Sequence, residues 1–187
     1  MSARPAGRRR RLFFGLPLDA SLQAAVGTAV RPHVRGRGRR VPPENLHLTL
    51  AFLGAVAEDR IPQLAALAAG IAVAPFTLEL TRLGYWARPR VIWLAPASVP
   101  PALAELAAAL RERLEGAGFP CDARPFAPHV TLVRKAGRGP AVEAIPPLSW
   151  PVDRFCLFES RTEPDGARYV PLACWPLTPA REEEGDD

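Results

Sequence analysis

Only three histidines occur in the 187-residue chain, and two of them open the same four-residue pattern. HLTL begins at His47 and HVTL begins at His129, and their surroundings repeat as well. The first motif follows an apolar run from Leu12, a proline, a helical pattern and an Arg-, Gly- and Pro-rich loop. The second follows an apolar run from Val91, a proline, a helical pattern and a Gly/Pro loop. Phe13 precedes His47 by 34 residues and Ile92 precedes His129 by 37. Such a repeat predicts an internal duplication. The expected fold is α+β and bilobal, one unit of strands and helices repeated on either side of a cleft. A pseudo-two-fold axis would then set the two histidines opposite one another.

Side chains at i and i+2 of a strand share a face. His47 and Thr49 therefore line one face while Leu48 and Leu50 pack inward. His129 and Thr131 do the same, with Val130 and Leu132 behind them. Two imidazoles with ordinary pKa values near 6.5 can act as a base and an acid at neutral pH. Two threonine hydroxyls can donate to an anionic oxygen between them. That set suits phosphodiester chemistry on a ribose, where one group activates the nucleophile and the other protonates the leaving oxygen. A strained 2',3'-cyclic phosphate needs no metal for this, and none is expected. No nucleophile-elbow pattern accompanies the histidines, and two histidines this far apart have no clear third zinc ligand.

Hydrophobic residues make up 48% of the chain, enough for one folded domain. The net charge of +5 favours a polyanionic partner. Of 24 basic residues only Lys135 is a lysine, so part of that charge reflects arginine-rich composition. Cys121, Cys156 and Cys174 match no metal spacing and read as reduced thiols. The start, RRRRLFFGLPLDA, has too short an apolar run, broken by Pro17, for an export signal. No run reaches the ~20 apolar residues that a helical membrane span needs. A cytoplasmic monomer with no membrane contact is the expectation.

The pattern predicts strands at 12–18, 46–53, 76–83, 91–95, 126–135, 152–160 and 168–175, and helices at about 19–30, 57–72 and from Pro101. TEPDG carries the turn chemistry of a hairpin. Residues 1–10 form a basic terminus and 179–187 an acidic tail, both expected to be disordered. A single bilobal domain at 11–178 lies between them.

Five stretches together bring a known family into view: RLFFGLPLD, NLHLTLAFLG, RPRVIWL, RPFAPHVTLVR and the final FCLFESRTEPDGARYVPLACWPL. From about Arg11 to Leu177 the chain resembles the RNA 2',3'-cyclic phosphodiesterases of the two-histidine phosphoesterase superfamily, historically called 2'-5' RNA ligases. The resemblance implies a bilobal α+β fold, with two antiparallel sheets facing across a cleft, helices on the outside and one motif on each lobe; it implies no cofactor, and RNA with 2',3'-cyclic phosphate ends as substrate. It implies hydrolysis to a 2'-phosphate, with His47 as proton donor and His129 as proton acceptor. The residues themselves leave that order open. Thr49 and Thr131 carry over as phosphate ligands. Phe52 and Arg134, five residues after each histidine, carry over as contacts to base or ribose and to phosphate. Strict alternation puts both on the face away from the histidines, so they serve there only if the strands bulge or twist near their ends; otherwise they do not touch the substrate. Lys135 shares the histidine face if its strand stays regular.

Two other functions fit the same residues: joining RNA ends through a 2'-5' linkage in the reverse direction, and a non-catalytic module that recognises cyclic RNA ends. Arg35, Arg37, Arg39 and Arg40 suit either an RNA backbone or a solvated loop. His33 reads as a solvated loop residue, and Trp86, Trp93, Trp150 and Trp175 as core or interface.

Overall fold

The computed structural model describes residues 8–122 and 124–179, so most of the basic terminus and most of the acidic tail lie outside the described residues. The first half of the chain holds β1 (Arg9–Pro17), α1 (Ala20–Val34), β2 (Arg39–Arg40), β3 (His47–Ala57), α2 (Ile61–Ala69) and β4 (Phe76–Trp86). The second holds β5 (Val91–Pro96), α3 (Pro101–Gly116), β6 (Val130–Arg134), β7 (Ala144–Val152), β8 (Arg154–Glu163) and β9 (Gly166–Pro176).

The strands run in the order β7-β4-β5-β6-β3-β1-β8-β9, with β2 added beside β6, and every pairing is antiparallel. The order shows the duplication. Each histidine strand lies next to the strand that opens its unit, β1 beside β3 and β5 beside β6. The expected two sheets appear as two four-stranded halves of one continuous sheet, β3-β1-β8-β9 and β6-β5-β4-β7. They join edge to edge at one residue pair, Leu48 with Val130. These are equivalent residues of the two motifs, so the pseudo-two-fold axis passes through this pair.

Local rules explain the helices. Asp19 caps α1, its carboxylate accepting the Leu22 N–H at 2.7 Å, and Leu22, Val26, Val30 and Val34 form the buried stripe. Pro101 opens α3, which buries Leu103, Leu106, Leu110 and Leu114. α1 packs against β7 and α3 against β3, so the helix of each half reaches the sheet of the other. The main apolar core holds Leu16 and Val26 of one half together with Leu94 and Leu110 of the other, and a smaller cluster gathers Phe13, Cys156 and Phe158.

Several expectations change. The strand expected at 126–135 is only β6, Val130–Arg134, so His129 stands just before it, and the helix expected to end near 30 runs on to Val34. β1 starts at Arg9 rather than Leu12, because β3 runs on to Ala57 and pairs with Arg9, Arg10 and Arg11. That extension also shortens the expected 57–72 helix to Ile61–Ala69. β7 had no strand signature because Pro146, Pro147 and Pro151 interrupt it; as an edge strand paired only with β4, it tolerates the missing N–H donors. Cys156 and Cys174 are not free thiols: they lie directly opposite on β8 and β9 and form a disulfide, while Cys121 is free. Cross-strand register places those two sulfurs together, and cysteine spacing alone carried no sign of it. No helix among the described residues is long and apolar enough to cross a membrane.

Candidate active site

On β3, Leu48 and Leu50 are buried while His47 and Thr49 are half-buried, the alternation that a strand dictates. The alternation then breaks. Phe14 faces Ala51 and Gly15 faces Thr49, which leaves Leu50 as an extra residue. In the second half Ile92 faces Val133 and Trp93 faces Thr131, which leaves Leu132 extra. Leu50 and Leu132 are the fourth residues of the two motifs, so both histidine strands bulge at the same place. A bulge moves the following side chains by one position. Leu53 and Val133 thereby turn to the core, and Phe52 and Arg134 emerge on the histidine side, both exposed. Phe52 is 44% exposed, with the Arg11 guanidinium 5.0 Å above its ring. Lys135 does not continue the strand: β6 ends at Arg134, and Lys135 takes a left-handed φ of 53°.

The histidines are held alike. His47 Nδ1 lies 2.7 Å from the Asn45 carbonyl, and His129 Nδ1 lies 2.8 Å from the Ala127 carbonyl. A carbonyl only accepts, so each Nδ1–H donates and the neutral ring carries its lone pair on Nε2. Nε2 is thus the nitrogen left free to accept a proton in both. The second contact differs. His47 Nε2 lies 3.0 Å from Thr49 Oγ1, whereas His129 Nε2 has no protein partner among the described residues.

Aromatic rings fix both imidazoles. His47 sits 4.7 Å from Phe13 and meets Tyr169 edge-on at 4.8 Å; Phe13 in turn stacks on Phe158 at 5.1 Å. His129 meets Trp86 edge-on at 4.5 Å, and Trp86 leans on Trp93 at 5.5 Å. Trp86 and Trp93 therefore support the site, while Trp150 is buried in the core and Trp175 packs against it. Gly84 makes the Trp93 position possible, since a Cβ there would lie 2.1 Å from the indole. His33 lies in the last turn of α1 rather than in the loop.

Burial pushes the His47 imidazole down to about 4. Its bond to the Asn45 carbonyl opposes that fall, and the positive charges of Arg134 and His129 add to it. Burial also lowers His129, against its bond to Ala127 and with help from Arg134. Arg134 acts on both rings, so its charge lies within reach of each. Among the described residues no three His, Cys, Asp or Glu side chains gather as metal ligands.

Three supporting residues went unread in the sequence. Trp86 and Tyr169 come from strands far along the chain, and edge-on contact leaves no periodic mark. Asn45 stands two residues before His47, but its counterpart is Ala127; a carbonyl does this work, so residue type gives no signal.

A family model described as "2'-5' RNA ligase superfamily" matches residues 18–164. An RNA 2',3'-cyclic phosphodiesterase of Escherichia coli K12 is 39% identical over 176 residues, covering 90% of this chain and 97% of that protein. Its Thermus thermophilus namesake is 39% identical over 180 residues, covering 87% of each. The crystal structure of E. coli LigT in apo form superposes with a TM-score of 0.84 at 37% identity, covering 92% of this chain and 99% of that one. LigT complexed with 3'-AMP gives the same TM-score at 39% identity. A duplicated fold with paired HxTx strands, matched across most of its length in sequence and in structure, places this chain in the 2'-5' RNA ligase superfamily.

Proposed function

We propose that this chain hydrolyses RNA 2',3'-cyclic phosphodiester ends to 2'-phosphomonoesters, by general acid and base catalysis without a metal. The observation that carries this reading is the symmetric pair of imidazoles. They stand at equivalent places, His47 as the first residue of β3 and His129 just before β6, each with Nδ1 tied to a carbonyl and Nε2 available for proton transfer. The relatives named as RNA 2',3'-cyclic phosphodiesterases, and the LigT complex with 3'-AMP, support the substrate class.

The cyclic phosphate would sit between the two Nε2 atoms, with Thr49, Thr131 and Arg134 on its oxygens and Phe52 against base or ribose. His129 accepts a proton from water as the water oxygen bonds to phosphorus. The P–O3' bond breaks, and His47 gives its Nε2 proton to O3'. His47 is mostly neutral in the empty site at pH 7, given its depressed pKa. An anionic phosphate beside it favours the charged ring, so substrate binding itself loads the donor. The order of the two histidines follows the family resemblance.

The direct test is a short RNA ending in a 2',3'-cyclic phosphate, incubated with EDTA and read by phosphorus NMR. The unaltered protein should yield a 2'-phosphate, and His129→Ala protein should not. A cyclic end that persists with both would withdraw the assignment; activity lost only with EDTA would bring a metal in.

A further inference from the structure

The arginine-rich loop is not a solvated tether, because it is stitched into the sheet. β2 pairs Arg39 with Arg134 and Arg40 with Val133, and the Val41 N–H donates to the Leu132 carbonyl at 2.9 Å. The Gly137 N–H donates to the Arg37 carbonyl at 2.9 Å. Gly38 lies so close that a Cβ there would stand 2.7 Å from the Arg134 carbonyl oxygen and 2.9 Å from Ala136 Cα. Main chain holds these arginines in place.

Directly opposed residues of an antiparallel pair extend to the same face. Arg39 therefore shares the face of Arg134, one strand spacing of about 4.8 Å away. Like charges placed opposite each other destabilise a sheet. Among the described residues no carboxylate offsets them: none of Arg37, Arg39, Arg40, Arg134, Lys135 or Arg138 takes part in a salt bridge. The Arg39 guanidinium instead reaches the other half of the molecule, donating to the Asp165 carbonyl at the β8–β9 turn. It thus spans the two halves at one end of the site, with donor capacity left over.

We propose that Arg39 seats the phosphodiester that lies 5' to the cyclised nucleotide, next to the reacting phosphate on Arg134. This rests on the hydrolysis proposed above. A cyclic 2',3'-phosphate closes the 3' side of its nucleotide, so the neighbouring phosphate must come from the 5' side. The cleft would then select an RNA end of two or more nucleotides over a mononucleotide, without reading the base.

The experiment compares a mononucleoside 2',3'-cyclic phosphate with a dinucleotide that carries the same end. The unaltered protein should favour the dinucleotide in kcat/KM by about tenfold, the worth of one charged hydrogen-bonding contact. Arg39→Gln should collapse that ratio toward one, and Arg39→Lys should restore part of it. A dinucleotide with a neutral methylphosphonate linkage should behave as the mononucleotide does. The salt dependence of the dinucleotide reaction should weaken in Arg39→Gln by a log–log slope of roughly 0.7, one phosphate contact on a single strand. A ratio unchanged by Arg39→Gln overturns the proposal, and so does an equal loss on both substrates, which would make Arg39 a structural strap. Should neither substrate turn over, the hydrolysis reading fails by itself. Binding of the same two ligands, followed by tryptophan fluorescence, then decides the Arg39 site, and equal affinities refute it.

Discussion

Among the described residues Leu48 and Val130 form the single strand pair between the two halves of the sheet, and each is the other's counterpart in the duplicated unit. His47 and His129 are their immediate chain neighbours. The seam that joins the lobes is therefore also the ruler between the imidazoles.

Trimming that seam should injure both stability and chemistry. Leu48 is fully buried, so Leu48→Ala should cost about 2–5 kcal/mol in urea denaturation. At temperatures where the variant stays folded, kcat should fall, because the residues flanking His47 lose their packing. A variant that is less stable yet turns over at the normal rate would show that the seam side chains do not set the imidazole geometry.

Acid should weaken the fold through His47. Its imidazole lies near 6.5 when unfolded and at about 4 when folded, so the unfolded chain takes up the proton first. The contribution is fully present above pH 6.5 and is lost as the pH falls toward 4. Its full size is about 3 kcal/mol. Urea denaturation at pH 7.5 and pH 4.5 should therefore show a larger loss for the unaltered protein than for His47→Gln. Equal losses would mean that some other group carries the acid sensitivity.

How much of this was legible follows from what each feature depends on. The duplication, the histidine pair and the helix stripes depend on periodic patterns, and the sequence carried them. The bulges at Leu50 and Leu132 depend on register against β1 and β5, which a single strand does not reveal. Alternation alone therefore sent Phe52 and Arg134 to the wrong face, and only the family resemblance kept them as candidates. β7 was hidden by its prolines, which weigh against a strand until its edge position is known. The Cys156–Cys174 bond came from cross-strand pairing, as did the neighbouring positions of Arg39 and Arg134. Contacts between strands distant in the chain leave no mark within either one.

The support behind His129 should be sensitive to a single methyl group. Gly84→Ala puts a Cβ 2.1 Å from the Trp93 indole, which must then move. The shift should displace Trp86 from the edge of His129, lower kcat and alter tryptophan fluorescence, at a stability cost of about 1–3 kcal/mol. Normal kcat with altered fluorescence would show that Trp86 does not position the imidazole.

Asn45 should couple the hairpin of β8 and β9 to the protonation of His47. Its carbonyl fixes Nδ1, while its buried side chain donates to the Ala167 carbonyl at 2.6 Å and accepts the Tyr169 N–H at 3.0 Å. Asn45→Ala leaves those two backbone groups without their partner, at about 1–3 kcal/mol. It also loosens the segment that presents the carbonyl and the Tyr169 ring that meets His47 edge-on. The Nδ1–H tautomer of His47 should then lose its dominance in nitrogen NMR, and the limb of the pH–rate profile that reports His47 should move. Asn45→Asp keeps an acceptor for Tyr169 but sets a carboxylate near the imidazole, so the same limb should move toward higher pH as the cation is favoured. A loss of stability in Asn45→Ala with the tautomer and pH profile intact would reduce Asn45 to a structural pin between β9 and the loop before β3.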